Sequence, residues 1–287
     1  GRYRNKTIQS WQQAGLLLAF GKEESAEYTV NKLDDTTGDW KVKPVHVDEA
    51  LLAYVLKKNE VLTSKAEESV LCLLKDLKGT HETIAYRPSI SDIRFIDTIG
   101  MIVPFLFLCG EKKLAIKQIE EYDKAKLSGS DIPSHAYNIV HNVPLGIYDW
   151  ARGIGWYILG LIESNTEGLF NSRIVSLAQE LLPYQKNNGG FGAMFFNKNS
   201  VNESSGTALI GLLMVKAYQI SSNSRFLEAA IKVEKQLMTA TRRSGAIDYC
   251  QGDTKGIGYY STTFSVMPFA QGMALKLSKE LNTYAYG

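Results

Sequence analysis

Six stretches of this chain are apolar on every face of a helix, and they return about every fifty residues. They lie at 11–20, 49–56, 98–108, 153–162, 205–218 and 264–277. Most open on small residues and continue as an aliphatic run, as in Ala14-Gly15-Leu16-Leu17-Leu18 and Gly206-Thr207-Ala208-Leu209-Ile210. A helix without a polar face must be surrounded by protein. Between these stretches, 64–77, 112–126, 171–185 and 224–238 carry apolar residues at three- and four-residue intervals. Val70, Leu73, Leu74 and Leu77 are an example, and such a helix keeps one face in solvent. Ser64 and Ser224 are placed to cap two of them, and Gly79, Gly129 and Gly189 to follow helix ends in the left-handed conformation. Alternating buried and half-buried helices predict an all-α (α/α)6 barrel, a toroid of six inner and about six outer helices. The alternative is an open solenoid, whose shorter repeat carries two amphipathic helices. The inner–outer asymmetry favours closure. Residues 36–43 and 252–258 read as loops, the first with room for a short hairpin. No linker or low-complexity tract divides the chain, so residues 1–287 are expected to form one catalytic domain.

Apolar residues make up 45% of the chain and charged residues 22%, enough for a large core without staples. The formal net charge of +2, with lysines and arginines scattered, gives no electrostatic case for nucleic acid or an anionic membrane. No apolar run is long enough to cross a bilayer, and no signal peptide is visible. The three cysteines are odd in number and far apart. Cys72 and Cys109 lie in apolar runs and are expected to be buried free thiols. That usage predicts a reducing compartment, the cytoplasm. No cysteine or histidine cluster suggests a metal, and no phosphate- or dinucleotide-binding glycine motif suggests a cofactor.

In a toroid the loops entering the inner helices surround a central pit, so polar residues just before those helices are the candidates for chemistry. Trp150-Ala151-Arg152-Gly153-Ile154-Gly155-Trp156 sets two indoles and a guanidinium around glycines. Indoles cover the apolar faces of sugars and a guanidinium forks onto a carboxylate, so the segment suits an anionic carbohydrate. It reads equally as the start of a buried helix, with Arg152 paired to an acid such as Asp149. Asp97 precedes Thr98 in a strongly apolar context; it is either an N-cap or an acid whose neutral form is favoured. Asp48, before Glu49, has the same two readings. Were both to face the pit, each would disfavour ionisation of the other. His135 lies in a loop stiffened by Pro133 and aromatic neighbours. Tyr86 and Arg87 offer another ring and cation. Glu203-Ser204-Ser205-Gly206 suits tight helix packing or hydrogen bonds to a sugar.

Three motifs together resemble the unsaturated glucuronyl and rhamnogalacturonyl hydrolases, glycoside hydrolase families 88 and 105. They are Ile96-Asp97-Thr98 leading to Met101 and Pro104-Phe105-Leu106, the 150–156 segment, and Glu203-Ser204-Ser205-Gly206-Thr207-Ala208. The resemblance implies an (α/α)6 barrel acting on oligosaccharides that end in a 4,5-unsaturated uronic acid. The implied reaction is hydration of a vinyl ether, with protonation at C4 and addition of water at C5. By resemblance Asp97 is the catalytic acid and base, and Asp48 the second acid that positions the ligand. Trp150, Arg152, Trp156 and His135 hold the unsaturated sugar, with Arg152 at its carboxylate; Tyr86 and Arg87 match loosely. Tyr3 and Trp11 are candidates for the aromatic residues that line the family's pocket. Ile154 stands where relatives usually carry Asn or Gln, which removes a polar contact, and the stretch between Asp97 and Trp150 is compressed. An inverting glycosidase using Asp97 and Asp48, and a non-catalytic carbohydrate-binding protein, are the other readings. The expected partner is an oligosaccharide, with the oligomeric state left open.

Overall fold

A computed structural model of the protein describes residues 9–285. Tyr3 therefore lies outside the described residues. The inner helices are α1 (Ser10–Leu17), α3 (Glu49–Lys58), α5 (Ile96–Leu108), α7 (Ala151–Glu163), α9 (Ser204–Ser221) and α11 (Pro268–Ala285). Each packs on the next in this order, and α11 packs back on α1, so the ring is closed. This excludes the open solenoid. Outside them run α2 (Lys22–Thr29), α4 (Ser64–Asp76), α6 (Lys112–Asp123), α8 (Asn171–Leu181) and α10 (Ser224–Thr239). Among the described residues the outer layer has these five helices rather than six.

The sequence pattern located the inner helices because they have no solvent face. α7 is buried from Ala151 to Ile162, and α5 from Thr98 to Leu106. No alternation of polar and apolar residues marks α2 (KEESAEYT), which is polar throughout and was not expected from the sequence. The last inner helix begins at Pro268, not at 264. Phe264–Ser265 is instead a strand (β5) paired with Cys250–Gln251 (β4). Caps fall one residue ahead of the expected ones. Thr63, not Ser64, accepts the Ala66 N–H at 3.2 Å, and Asn223, not Ser224, accepts the Arg225 N–H. Gly129 and Gly189 are left-handed, but Gly79 is not, with φ −120°. The 36–43 loop is closed by a single bridge between Leu33 and Trp40. Cys72 is exposed and Cys109 half-buried, against the expectation of two buried thiols. Cys72 falls on the outward side of an amphipathic helix, and only Cys250 is buried.

A three-stranded antiparallel sheet lies at the entrance to α5. Its strands are β1 (Ile93–Phe95), β2 (Ala136–Asn138) and β3 (Val143–Leu145), in that order. Phe95 pairs with Ala136, and the Ile96 N–H donates to the His135 carbonyl at 3.0 Å. The sheet register therefore sets His135 beside the start of α5 and so beside Asp97.

Candidate active site

The N-terminal ends of α1, α5 and α7 converge on a pit of about 200 Å³. Its wall includes Trp11, Tyr86, Arg87, Phe95, Asp97, His135, Trp150, Arg152 and Trp156. Of the catalytic and ligand-holding residues that the resemblance implied, namely Asp97, Asp48, Trp150, Arg152, Trp156, His135, Tyr86 and Arg87, only Asp48 is missing from this wall. It lines an adjoining recess that shares Gln9, Trp11, Tyr86 and Arg87 with the pit.

Asp97 is the second residue of α5, not its cap. The N-cap is Phe95, and the first-turn hydroxyl of Thr98 donates to the Phe95 carbonyl at 2.7 Å. The Asp97 carboxyl is 20% exposed, towards the pit. Burial pushes its pKa up to about 6, against the nearby Arg152 charge and its own N–H, which both pull it down. Asp48 sits at the N-cap of α3, but its carboxyl makes no cap hydrogen bond and accepts instead from the Trp11 N–H at 3.4 Å. It too is raised by burial. Neither carboxyl perturbs the other. The expected mutual coupling is thus replaced by two separate desolvations.

The guanidinium of Arg152 is buried, 2% exposed, and its fork is already engaged. Nη1 donates to the Gln251 carbonyl and Nη2 to the Gly252 carbonyl at 2.7 Å. It also lies over the rings of Trp11 and Trp150, at 5.9 and 5.5 Å. The sequence suggested a carboxylate partner. Asp149 is not that partner, since its carboxylate accepts from the Phe196 N–H at 3.3 Å. The two indoles present little surface to a ligand. Trp150 is 2% and Trp156 1% exposed. Trp150 donates to Gln251 Oε1 at 2.9 Å and leans on Gly153, where a Cβ would come within 2.5 Å of the ring. Trp156 is packed by Trp11 and Phe269, with ring centroids 5.6 and 4.6 Å away. The open aromatic surface belongs to Tyr86, which is half-buried and carries Arg87 5.2 Å above its ring. Ile154 is buried in the core and is not part of the pit wall.

His135 is 3% exposed, and its Nε2 is 3.8 Å from Asp97 Oδ2. Trp150, Tyr260 and Phe95 enclose its ring at 4.7, 5.3 and 5.8 Å. Burial, aided by the Arg152 charge, lowers its pKa to about 4. Glu203 takes the structural reading. Fully buried at the N-cap of α9, it accepts from Ser205, Gly206 and the Gln251 N–H at 3.1 Å, fastening β4 to the helix. The sequence showed a loop at 252–258 but assigned no role in the site to this connection between β4 and β5. It brings Asp253, Thr254 and Lys255 to the pit wall, and Tyr260 to His135. Asp253 Oδ1 and Thr254 Oγ1 are buried there without a hydrogen-bond partner. Polar atoms of this kind are normally satisfied, so these two are open to a ligand or water. The only signal in the sequence was the density of Asp, Thr and Tyr in an otherwise glycine-rich loop. Among the described residues no acid, cysteine and histidine group is arranged to hold a metal, and no helix is long and apolar enough to cross a membrane.

Fold and site together define an (α/α)6-barrel protein that presents a carboxylic acid to a small aromatic pit. Residues 146–285 match the profile of Glycosyl Hydrolase Family 88. That stretch carries the Trp150–Trp156 and Glu203 motifs, while Asp97 and Asp48 precede it. The fold is shared with a possible glycoside hydrolase family 105 member from Salmonella enterica, at 17% identity and a TM-score of 0.74, over 97% of this chain and 86% of that one. A family 105 glycoside hydrolase from C. acetobutylicum aligns at 17% identity and a TM-score of 0.74, over 95% and 93%. The unsaturated glucuronyl hydrolase of Bacillus sp. GL1 aligns at 14% identity and a TM-score of 0.62, over 81% and 73%. No curated protein matches the sequence significantly. The likeness to families 88 and 105 read from the sequence motifs is thus met by a sequence profile over the C-terminal half and by the fold over nearly the whole chain.

Proposed function

We propose that this chain is a single-domain hydrolase that removes a terminal 4,5-unsaturated uronic acid from oligosaccharides, with Asp97 as acid and base. The observation that carries this reading is the environment of Asp97. A carboxyl at the bottom of a pit with a pKa near 6 is protonated in part of the enzyme at neutral pH and can donate. It gives its proton to C4 of the enol ether. The carboxylate left behind takes a proton from the water that adds at C5. The hemiketal so formed opens by breaking its C5–O5 bond, the proton of the C5 hydroxyl passing to O5, so that C5 becomes a ketone and C1 a hemiacetal. The hemiacetal then breaks its C1–O1 bond, the proton on O5 passing to O1, so that the remaining sugar leaves as an alcohol and C1 becomes an aldehyde.

The pit suits an anionic ring. Three inner helices point their N-terminal ends at it, and Arg152 adds a fixed positive charge beneath. With its fork held by two carbonyls, Arg152 acts on a ligand as a buried charge rather than as a bidentate clamp. Tyr86 offers the stacking face, and Asp253 and Thr254 offer free hydrogen-bonding atoms for hydroxyls. Asp48, its carboxyl pKa pushed up by burial, borders the site and positions the ligand. The likeness to the Bacillus enzyme, named for unsaturated glucuronyl hydrolysis, supports the same substrate class. Three free cysteines suit a cytoplasmic setting.

The test is to add the protein to unsaturated disaccharides derived from pectin and from glycosaminoglycans, following the ultraviolet absorbance of the conjugated enoate. Loss of absorbance with release of the second sugar is expected for at least one. Absorbance that persists with every substrate, under conditions where the protein is folded, would reject the reading.

A further inference from the structure

We propose that Tyr260 is a positioning residue that locks His135 in the tautomer bearing its proton on Nε2, the nitrogen facing Asp97. The Tyr260 hydroxyl lies 2.9 Å from His135 Nδ1. The same oxygen accepts the Ile147 N–H at 3.3 Å, and the Gly258 N–H also bears on it. A phenol has one proton to give and accepts on the rest of its oxygen. With backbone N–H groups occupying the accepting side, the proton goes to Nδ1. An imidazole that accepts at Nδ1 carries its own proton on Nε2.

The surroundings leave the ring no alternative position. Trp150 and Phe95 flank it, and the His135 backbone is held at both ends, its N–H on the Ile147 carbonyl and its carbonyl on the Ile96 N–H. Gly146 makes room for the pair. Its φ is +79°, and a Cβ there would stand 2.9 Å from His135 Cβ and 3.0 Å from the Tyr260 oxygen. Burial keeps the imidazole neutral, so a single tautomer is there to be selected.

The selected tautomer turns a donor, not a lone pair, towards Asp97 Oδ2 at 3.8 Å. Closing that gap by about 1 Å makes a hydrogen bond of ordinary length. Such a bond favours the carboxylate that exists after Asp97 has given up its proton. The opposite tautomer sets a lone pair against that same charge. The kinetic consequence rests on the proposed function; the tautomer does not.

The experiment is a long-range proton–nitrogen correlation spectrum of the full chain with 15N-labelled histidine at neutral pH. The His135 signals are assigned by their loss in His135→Gln. The expected wild-type pattern is a protonated Nε2 and an unprotonated Nδ1. Tyr260→Phe keeps the ring and removes the hydroxyl. It is expected to give His135 a mixture of tautomers and to lower kcat on an unsaturated disaccharide about tenfold, with KM within about twofold. A wild-type proton on Nδ1 overturns the proposal, and so does a Tyr260→Phe spectrum or kcat that matches wild type. If Tyr260→Phe does not fold, the wild-type spectrum alone decides the tautomer. If the tautomer behaves as expected but no unsaturated uronide is turned over, the lock stands and the proposed function falls.

Discussion

Asp97 is a carboxyl that the fold keeps uncomfortable. Its pKa is raised to about 6 in the folded chain, against about 3.9 in an unfolded one. A carboxyl raised on folding contributes stability below its unfolded value, and that contribution is lost as pH rises through 6. Asp97→Asn removes this loss. The variant is expected to match wild type in thermal stability near pH 4 and to exceed it at pH 7 by up to about 3 kcal/mol. Its kcat on an unsaturated disaccharide should fall by about 10²–10⁴. Wild-type kcat/KM should decline as pH rises through about 6, because only the protonated acid can donate. A stability difference that is flat with pH, or a profile indifferent to pH from 5 to 8, would remove Asp97 from the role of acid. This residue was legible in the sequence because position and context were both local: an acid at a helix start among apolar neighbours. Tyr260 was not, since its meaning depends on His135, 125 residues away. Arg152 was half legible. Its place in the pit wall followed from the motif, but its partners are backbone carbonyls, and a sequence does not show which carbonyls a fold will leave free.

At the scale of the element, Arg152 and Glu203 hold the β4–β5 loop under the pit from two inner helices. Glu203, capping α9, takes the Gln251 N–H, while Arg152, in the first turn of α7, takes the Gln251 and Gly252 carbonyls. Arg152→Met keeps a long apolar stem and strands these carbonyls. It is expected to cost about 2–4 kcal/mol and to speed hydrogen exchange across residues 250–265 more than in α7 itself. If Arg152 were chiefly a carboxylate clamp, the variant would raise KM and leave stability and exchange as they are, and calorimetry separates the two outcomes. The two small sheets explain what periodicity could not supply. Strands of two or three residues have too few positions to show an alternation, yet one of them aligns His135 with Asp97 and another turns the 252–263 loop towards the pit. Long elements with an unbroken apolar face were readable. The short ones that place the chemistry were not.

At the scale of the molecule, the ring is held from its two ends. The C-terminal end of α7 lies about 20 Å from the pit along the helix, and there Glu163 joins three inner helices. It accepts from the Tyr54 hydroxyl at 2.6 Å and pairs with Lys58 at 2.5 Å and Lys276 at 3.2 Å. Burial raises the Glu163 pKa, but the two lysines and Tyr54 outweigh it and hold it at about 2. A depressed carboxylate contributes stability above its unfolded pKa of about 4.3, and loses it as pH falls towards 2. Glu163→Gln should therefore destabilise the protein by about 3–5 kcal/mol at pH 7, and by progressively less below pH 4. Its turnover per folded molecule should stay at the wild-type level, and reduced turnover in a fully folded sample would show that this cluster reaches the pit. The ring closes at the other end through two glycines. A Cβ on Gly272 would collide with the Gly15 carbonyl, and one on Gly15 would collide with the Phe269 ring. Phe269 in turn packs Trp11 and Trp156 beneath the pit. The α1–α11 seam is therefore both the closure of the barrel and part of the floor of the site. Gly272→Ala adds one methyl to this seam and nothing elsewhere. It is expected to cost about 1–3 kcal/mol or more through overpacking, lowering Tm by several degrees. Because the displaced helix carries Phe269, Trp11 fluorescence and KM should change with it, whereas Glu163→Gln changes neither. A Gly272→Ala protein with wild-type Tm and KM would mean that α1 and α11 do not meet as closely as the structure places them.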